Sequence, residues 1–411
     1  MLALSSLALA AAGALSGCAA RQIAPEPEPE SVQEDARLRF EPIEIRPGPS
    51  EEVALSDLNP EELFTMGKAH FAAGEFEKSA LAFARLADVY PESENAAAAS
   101  YNAGLALERL KRFEEAGNRF AAVANAQSGQ GDALFAAFHL ANCLYQLEDY
   151  ARAEAILRQM IERTDLERSE RLQALVQHAV CLVELGRLED AEAGLRRALG
   201  YWRVHRNEEA FDDYFPSQAQ FFLGEIHRLR FEAVALDPTA GEAALAQALE
   251  HKCQLLLSAQ GHYLRTIRMS QSHWATSAGF RVGALYETLY DEMLAAKLPE
   301  GLSDEEAAIY REELQKKVRI LVTKALPIYE QTLAAAERTG TQSPFVDKAR
   351  QSLERLKRIL IEGESAQQAV ETETSGESGI ADAPQPAEST APPQSTANES
   401  GTSDKARPTG E

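Results

Sequence analysis

Four cysteines in 411 residues are too few for a disulfide framework, so any fold this chain adopts must rest on a hydrophobic core, which its length can supply. Basic residues are scarce as well: 41 Lys plus Arg face 64 Asp plus Glu, for a net charge of −23. Phosphate-backbone binding needs clustered cations, so nucleic acid is excluded as a partner. No apolar run reaches the roughly 20 residues of a membrane-spanning helix. A Walker loop, GxGxxG, HExxH and GxSxG are all missing. The sequence therefore calls for no cofactor and no metal, and it reads as a non-enzyme. His251 and Cys253 point about 200° apart on a helix and cannot grip one ion.

What is present divides the chain by composition. Residues 1–17 are uncharged and rich in Ala, Leu, Ser and Gly, the pattern of a signal peptide, and Cys18 follows at once. Residues 18–59 contain "APEPEPE" and "RPGPSEE"; their prolines deny helix and their acids repel one another, which predicts an extended tether. Residues 362–411 hold 10 acids, 2 bases and few bulky apolar side chains, the composition of a disordered acidic tail.

Between these segments the chain repeats. Asn59-Pro60-Glu61-Glu62 is a helix start, with an N-cap, a first-turn proline and a capping-box glutamate. Small residues at Gly67, Gly104, Ala141 and Ala179 are each followed 12 residues later by another small residue and 16 later by Phe83, Phe120, Leu157 or Leu195. The register advances by 37, 37 and 38 residues. Each unit reads as a helical hairpin: the small residues let two helices approach, a bulky residue fills the space between repeats, and Phe76, Phe113, Tyr150 or Leu188 closes the turn. These residues resemble the tetratricopeptide repeat, whose usual period is about 34. The resemblance implies an all-α fold, an α-solenoid of helical hairpins with disordered ends, and four regular hairpins over 60–200.

Residues 201–361 keep the pattern loosely, as enlarged hairpins. Asp237-Pro238 breaks the chain before a long helix, Ser303 and Glu306 form a capping box, and Pro327 is expected to kink the helix that follows. A last amphipathic helix from Ser343-Pro344 presents Val346, Ala349, Leu353, Leu356 and Leu360 on one face, as a solenoid cap would. Cys143 and Cys181 sit at equivalent places of neighbouring hairpins, too far apart to bridge, and read as small core residues. Trp202 and Trp274 read as covers for hairpin edges.

Two further resemblances bear on location. "LSGC", ending at Cys18, is similar to the lipobox of bacterial lipoproteins, and the likeness implies a diacylated Cys18 as mature N-terminus. With Ala19 after it, the sorting rule of that class implies the outer membrane, with the body in the periplasm. "HWATSAGFRVGALYETLYDEMLAA" with "SPFVDKARQSLERL" resembles the C-terminal part of periplasmic repeat lipoproteins in myxobacterial envelopes, one of them assigned to gliding motility.

The repeat resemblance also implies a ligand groove lined by the first helix of each hairpin. The family's ligand-contacting places hold Phe64, Lys68 and Phe71 in the first repeat and Tyr101 and Asn102 in the second. In the third they hold Phe135, Phe138, His139, Asn142 and Tyr145, and in the fourth they include Gln177. The aromatic members form a stripe, and Asn102, His139 and Asn142 are placed to bond a peptide backbone. Of the carboxylate clamp some relatives carry, only Asn102 matches, which argues against a C-terminal carboxylate as ligand. The expected partners are peptide or helical segments of envelope proteins, held by a scaffold on a lipid anchor; the oligomeric state stays open. A β-barrel assembly lipoprotein is the alternative within this class. In another class stands a glycan- or lipid-binding protein or enzyme using 215–340, where His262, Arg265, Arg268, His273 and Arg281 gather positive charge.

Overall fold

A computed structural model of the chain describes residues 55, 57–125, 130–208, 212–298 and 301–376; the signal segment, Cys18, most of the tether and the tail beyond 376 lie outside the described residues. Thirteen α-helices and no strand occur among the described residues. Four hairpins come first: α1 (Pro60–Ala72) with α2 (Phe76–Val89), α3 (Ala96–Arg109) with α4 (Phe113–Asn125), α5 (Gln130–Gln146) with α6 (Tyr150–Glu162), and α7 (Arg168–Glu184) with α8 (Leu188–His205). Two longer ones follow, α9 (Tyr214–Ala233) with α10 (Glu242–Arg268) and α11 (Ser272–Ala295) with α12 (Asp304–Thr339), and α13 (Pro344–Gly376) ends the series. None of these helices is long and apolar enough to cross a membrane.

The starts are built as their sequence predicts. The Asn59 side chain accepts from the Glu62 N–H at 2.9 Å while the Glu62 carboxylate accepts from the Asn59 N–H at 3.0 Å, and Ser303 and Glu306 repeat the device before α12. The turns share a device the sequence reading did not register. Gly74, Lys111, Glu148 and Gly186 all have φ between 60° and 77°. At each, that residue and the next donate back to carbonyls of the first helix, as Gly74 does to Phe71 and Glu75 to His70. A left-handed residue closes a helix economically and reverses the chain. Two of the four are not glycine, and Lys111 and Glu148 carry the strain of that conformation for the sake of the hairpin.

Packing inside each hairpin follows a rule of matched sizes. The Phe83 ring lies so close to Gly67 that a Cβ there would stand 2.8 Å from it, and Phe120 meets Gly104 in the same way at 2.7 Å. These rings thus seat on the glycine of their own hairpin rather than only filling the space between repeats. Where the bulky residue is Leu157 or Leu195, its counterpart is Ala141 or Ala179 and all four are buried. The enlarged hairpins keep the aromatic form: Tyr263 covers Gly224 and Tyr329 covers Gly283, each leaving only 2.5 Å for a would-be Cβ. Both tyrosine hydroxyls find buried or half-buried carboxylates, Tyr263 on Glu225 and Tyr329 on Glu287.

First helices also pack on first helices, α7 on α9, α9 on α11 and α11 on α13, so α13 takes the place that another hairpin's first helix would fill. Its buried Val346, Ala349, Leu353 and Leu356 close the last core, as the amphipathic pattern predicts. The helix α12 runs through Pro327 as one helical span, with Ala325 and Tyr329 buried on either side. The helix α13 continues past 361 to Gly376; Glu, Ala and Gln are good helix formers and no proline intervenes.

Lys252 is the least expected core residue, with 0% exposure. From α10 its ammonium donates to the carbonyls of Phe231 and Val234, at 2.7 and 2.8 Å, and reaches Glu292 of α11 at 2.7 Å. It satisfies the orphan carbonyls at the end of α9 and ties three helices together.

A candidate peptide site on the first-helix face

The residues expected to line the groove do not form one exposed stripe. Phe138 is 5% exposed and belongs to the core, whereas Phe135 is 50% exposed. Phe64 packs edge-on against Phe83 with Lys68 over its ring at 5.5 Å, and Phe71 packs against Phe76 of its own turn. Tyr101 lies against Phe120 and His139, and Asn102 is half-buried.

The polar members are engaged across the boundary between the second and third hairpins. His139 Nδ1 sits 2.8 Å from the Glu108 carboxylate, and Asn142 donates to the same carboxylate at 3.1 Å. Burial works to raise the Glu108 carboxyl, yet the bonds from His139, Asn142 and Cys143, with the His139 charge, hold it below its ordinary value. His139 and Asn142 are thus spent on joining repeats, which their residue types alone cannot reveal. The Tyr145 hydroxyl similarly donates to Glu184 at 2.8 Å.

A cavity of about 240 Å³ opens beside these residues, lined by the first helices of four successive hairpins. Asn142, Tyr145 and Gln146 come from α5, Gln177, Val180 and Cys181 from α7, Tyr214, Gln218 and Phe222 from α9, and Trp274 from α11, with Ala141 and Leu157 at its floor. Every one of these side chains is uncharged. Burial, then Glu154 and Glu184, push the Cys181 thiol up to about 12, so it is an inert wall. Trp274 is held among the rings of Tyr214, Phe221 and Phe222 at centroid distances of 5.5, 5.1 and 6.0 Å, and its backbone N–H donates to the Gln271 cap.

Three polar atoms of residues that line this cavity are buried without a hydrogen-bond partner among the described residues: Gln177 Oε1, Gln218 Oε1 and Trp274 Nε1. Unpaired buried groups are costly and mark places where a ligand or water is wanted. Sequence reasoning reached Tyr145, Asn142 and Gln177 here, but not Gln218 or Trp274. The signal for Gln218 was Gly224: counted from it, Gln218 falls six residues before, as Glu61 does from Gly67.

The basic cluster expected at 262–281 is dispersed. His262 is buried on Gln220 at 2.6 Å, and burial with nearby Arg265 lowers it to about 3, so it stays neutral. Arg281 pairs with Glu225 at 2.9 Å, and His273 packs against Trp274.

Among protein families, the model described as Anaphase-promoting complex, cyclosome, subunit 3 matches residues 119–198, and the model described as Tetratricopeptide repeat matches residues 63–93. No curated protein matches the chain. Among solved structures it is similar to the apo form of RapI, at 12% identity over 74% of this chain and 100% of that one, with a TM-score of 0.44. It is similar to YrrB, described as a TPR protein with an unusual peptide-binding site, at 16% identity over 52% and 92% of the two chains and a TM-score of 0.34. A third likeness is to MamA from Desulfovibrio magneticus RS-1, at 14% identity over 49% and 96%, with a TM-score of 0.33. The helical hairpins and their recurring turns make this an all-α solenoid of tetratricopeptide-like hairpins, with the Tetratricopeptide repeat model matching within its first hairpin.

Proposed function

We propose that this chain is a lipoprotein of the outer membrane, anchored through Cys18 and facing the periplasm, that binds segments of envelope proteins on its first-helix face and supports assembly of an envelope complex. The observation that carries the binding role is the uncharged cavity with its three unpartnered polar atoms, a surface suited to an inserted protein segment. The anchor rests on "LSGC" at the end of an apolar leader. Two acyl chains at about 0.8 kcal/mol per buried methylene are enough for stable attachment. The acidic, Pro-rich segment after Cys18 serves as the spacer, and the likeness of the C-terminal third to myxobacterial envelope lipoproteins makes gliding motility the process to examine first.

Labelling with radioactive palmitate and fractionation of Gram-negative cells test the anchor. The wild type is expected to carry label and to sediment with the outer membrane, whereas Cys18→Ala carries none and is released. Equal labelling and sedimentation of both forms would remove the anchor from the proposal.

A further inference from the structure

We propose that the first half of α12 pairs with the same stretch of a second copy of this chain, antiparallel, about a two-fold axis midway between Leu314 and Gln315. The pairing is independent of the groove on the first helices and uses a stretch that the described residues leave uncovered. The helix α12 has 36 residues and α11 only 24. Because Gly279 meets Thr332 and Gly283 meets Tyr329, the two helices are level at the end of α12, and the excess lies at its start as an overhang of about 18 Å. None of residues 304–317 is buried, and only Ala307 and Leu314 are half-buried. Ile309 and Ile320 stand at and beside this overhang, each 56% exposed and on the same face of the helix.

Charge selects a second copy as the occupant. Residues 304–324 hold five acids and five bases in a chain of net charge −23; all five acids precede Leu314, and four of the five bases follow Gln315. The helix dipole favours acids in the first turn, but it fades within a turn of each end and does not account for bases in the middle of a helix that runs to Thr339. An antiparallel partner reverses the order. About that axis Ile309 comes level with Ile320 of the other copy, Glu313 with Lys316 and Glu312 with Lys317, and each pairing occurs twice. All six residues fall within about 140° of the helix circumference. A parallel pairing would instead set acid on acid and base on base. On its own helix Lys316 already lies 2.7 Å from Glu312 and 3.2 Å from Glu313. Exposed pairs of this kind are weak, and each carboxylate keeps capacity to accept from a second helix. About five turns of helix on each side bury less than the roughly 1,200 Å² of a standard interface, so the dimer is a weak one.

Sedimentation velocity of the purified full chain at rising concentration tests this. The wild type is expected to pass from monomer to dimer with a midpoint on the order of 100 µM at low salt, and to need about tenfold more protein at about 0.5 M salt. Glu312→Lys with Glu313→Lys, and separately Lys316→Glu with Lys317→Glu, should each weaken the dimer by at least about tenfold. An equimolar mixture of the two charge variants should associate at least as well as the wild type, because each supplies the charge that the other lacks. Ile309→Asp, at an exposed site, should abolish pairing with helical circular dichroism and thermal midpoint unchanged. A wild type that stays monomeric to millimolar concentration overturns the inference, as does a dimer indifferent to Ile309→Asp, or a mixture of the charge variants no stronger than either alone. A monomeric wild type that loses a different envelope protein through Ile309→Asp also overturns it, and gives the face to that partner. None of these results bears on the groove, so the two readings fail separately.

Discussion

Tyr263→Ala is expected to destabilise the C-terminal hairpins by about 3–5 kcal/mol, the cost of emptying a fully buried aromatic site. Its ring fills the cleft that Gly224 leaves, and the glycine itself has no side chain to collapse into the space. The loss of its hydroxyl is secondary, because Glu225 keeps Arg228 at 3.0 Å and Arg281 at 2.9 Å. Tyr263→Phe should therefore cost only about 1.5–3 kcal/mol, the range for a hydrogen bond to a charged group. In a solenoid each repeat contacts its neighbours alone, so the damage should stay local. Hydrogen exchange read by mass spectrometry should show α9 to α11 opening sooner while α1 to α4 keep their protection. Uniform loss along the whole chain would contradict a modular core.

Lys252→Ala is the second large effect. Removing one partner from a buried ion pair typically costs about 3–5 kcal/mol. Here the Val234 carbonyl loses the ammonium and the Phe231 carbonyl keeps only the Val234 N–H at 3.3 Å, while Glu292, with its side chain 34% exposed, can turn to water. The expected cost is thus near the lower end, about 3 kcal/mol. Lys252→Met keeps most of the apolar stem but still removes the ammonium from both carbonyls, and it should recover only part of the loss. Urea unfolding of the full chain checks both variants, and a midpoint unchanged in Lys252→Ala would mean that this lysine is not what closes α9.

The two residues illustrate what the sequence could and could not tell. Glycine and aromatic at matched places in the first two repeats, alanine and leucine in the next two, are legible as a size code, because helical spacing fixes which side chains meet within one hairpin. The same code reappears at Gly224 with Tyr263 and at Gly283 with Tyr329, stretched by longer helices, so the fixed offset no longer finds it. Lys252 carries no signal: a lysine on an amphipathic helix reads as solvated until the end of another helix is placed over it. The site divides in the same way. Tyr145 and Gln177 follow from the repeat register, but Trp274 joins them only because four first helices stack side by side. His139 and Asn142 were legible as polar groups on the right face. Their shared attachment to Glu108, one hairpin away, depends on the packing of one repeat on the next.

The same attachments set one end of the face apart. His139 and Asn142 are satisfied on Glu108 between the second and third hairpins, whereas Gln177, Gln218 and Trp274 each keep a buried polar atom without a partner among the described residues. A partner segment lying along the first helices would gain most where the protein has left its own hydrogen bonds unmade.

The central claim, that this face binds extended protein segments, is tested most directly by selecting a random-peptide display library on the purified full chain and measuring the selected peptides by calorimetry. The account predicts peptides that bind wild type, lose at least about tenfold in affinity to Gln177→Arg, which places a charge in the uncharged cavity, and keep their affinity for Arg197→Glu on the exposed side of α8. Selected peptides that ignore Gln177→Arg, or that lose binding with Arg197→Glu alone, would contradict it.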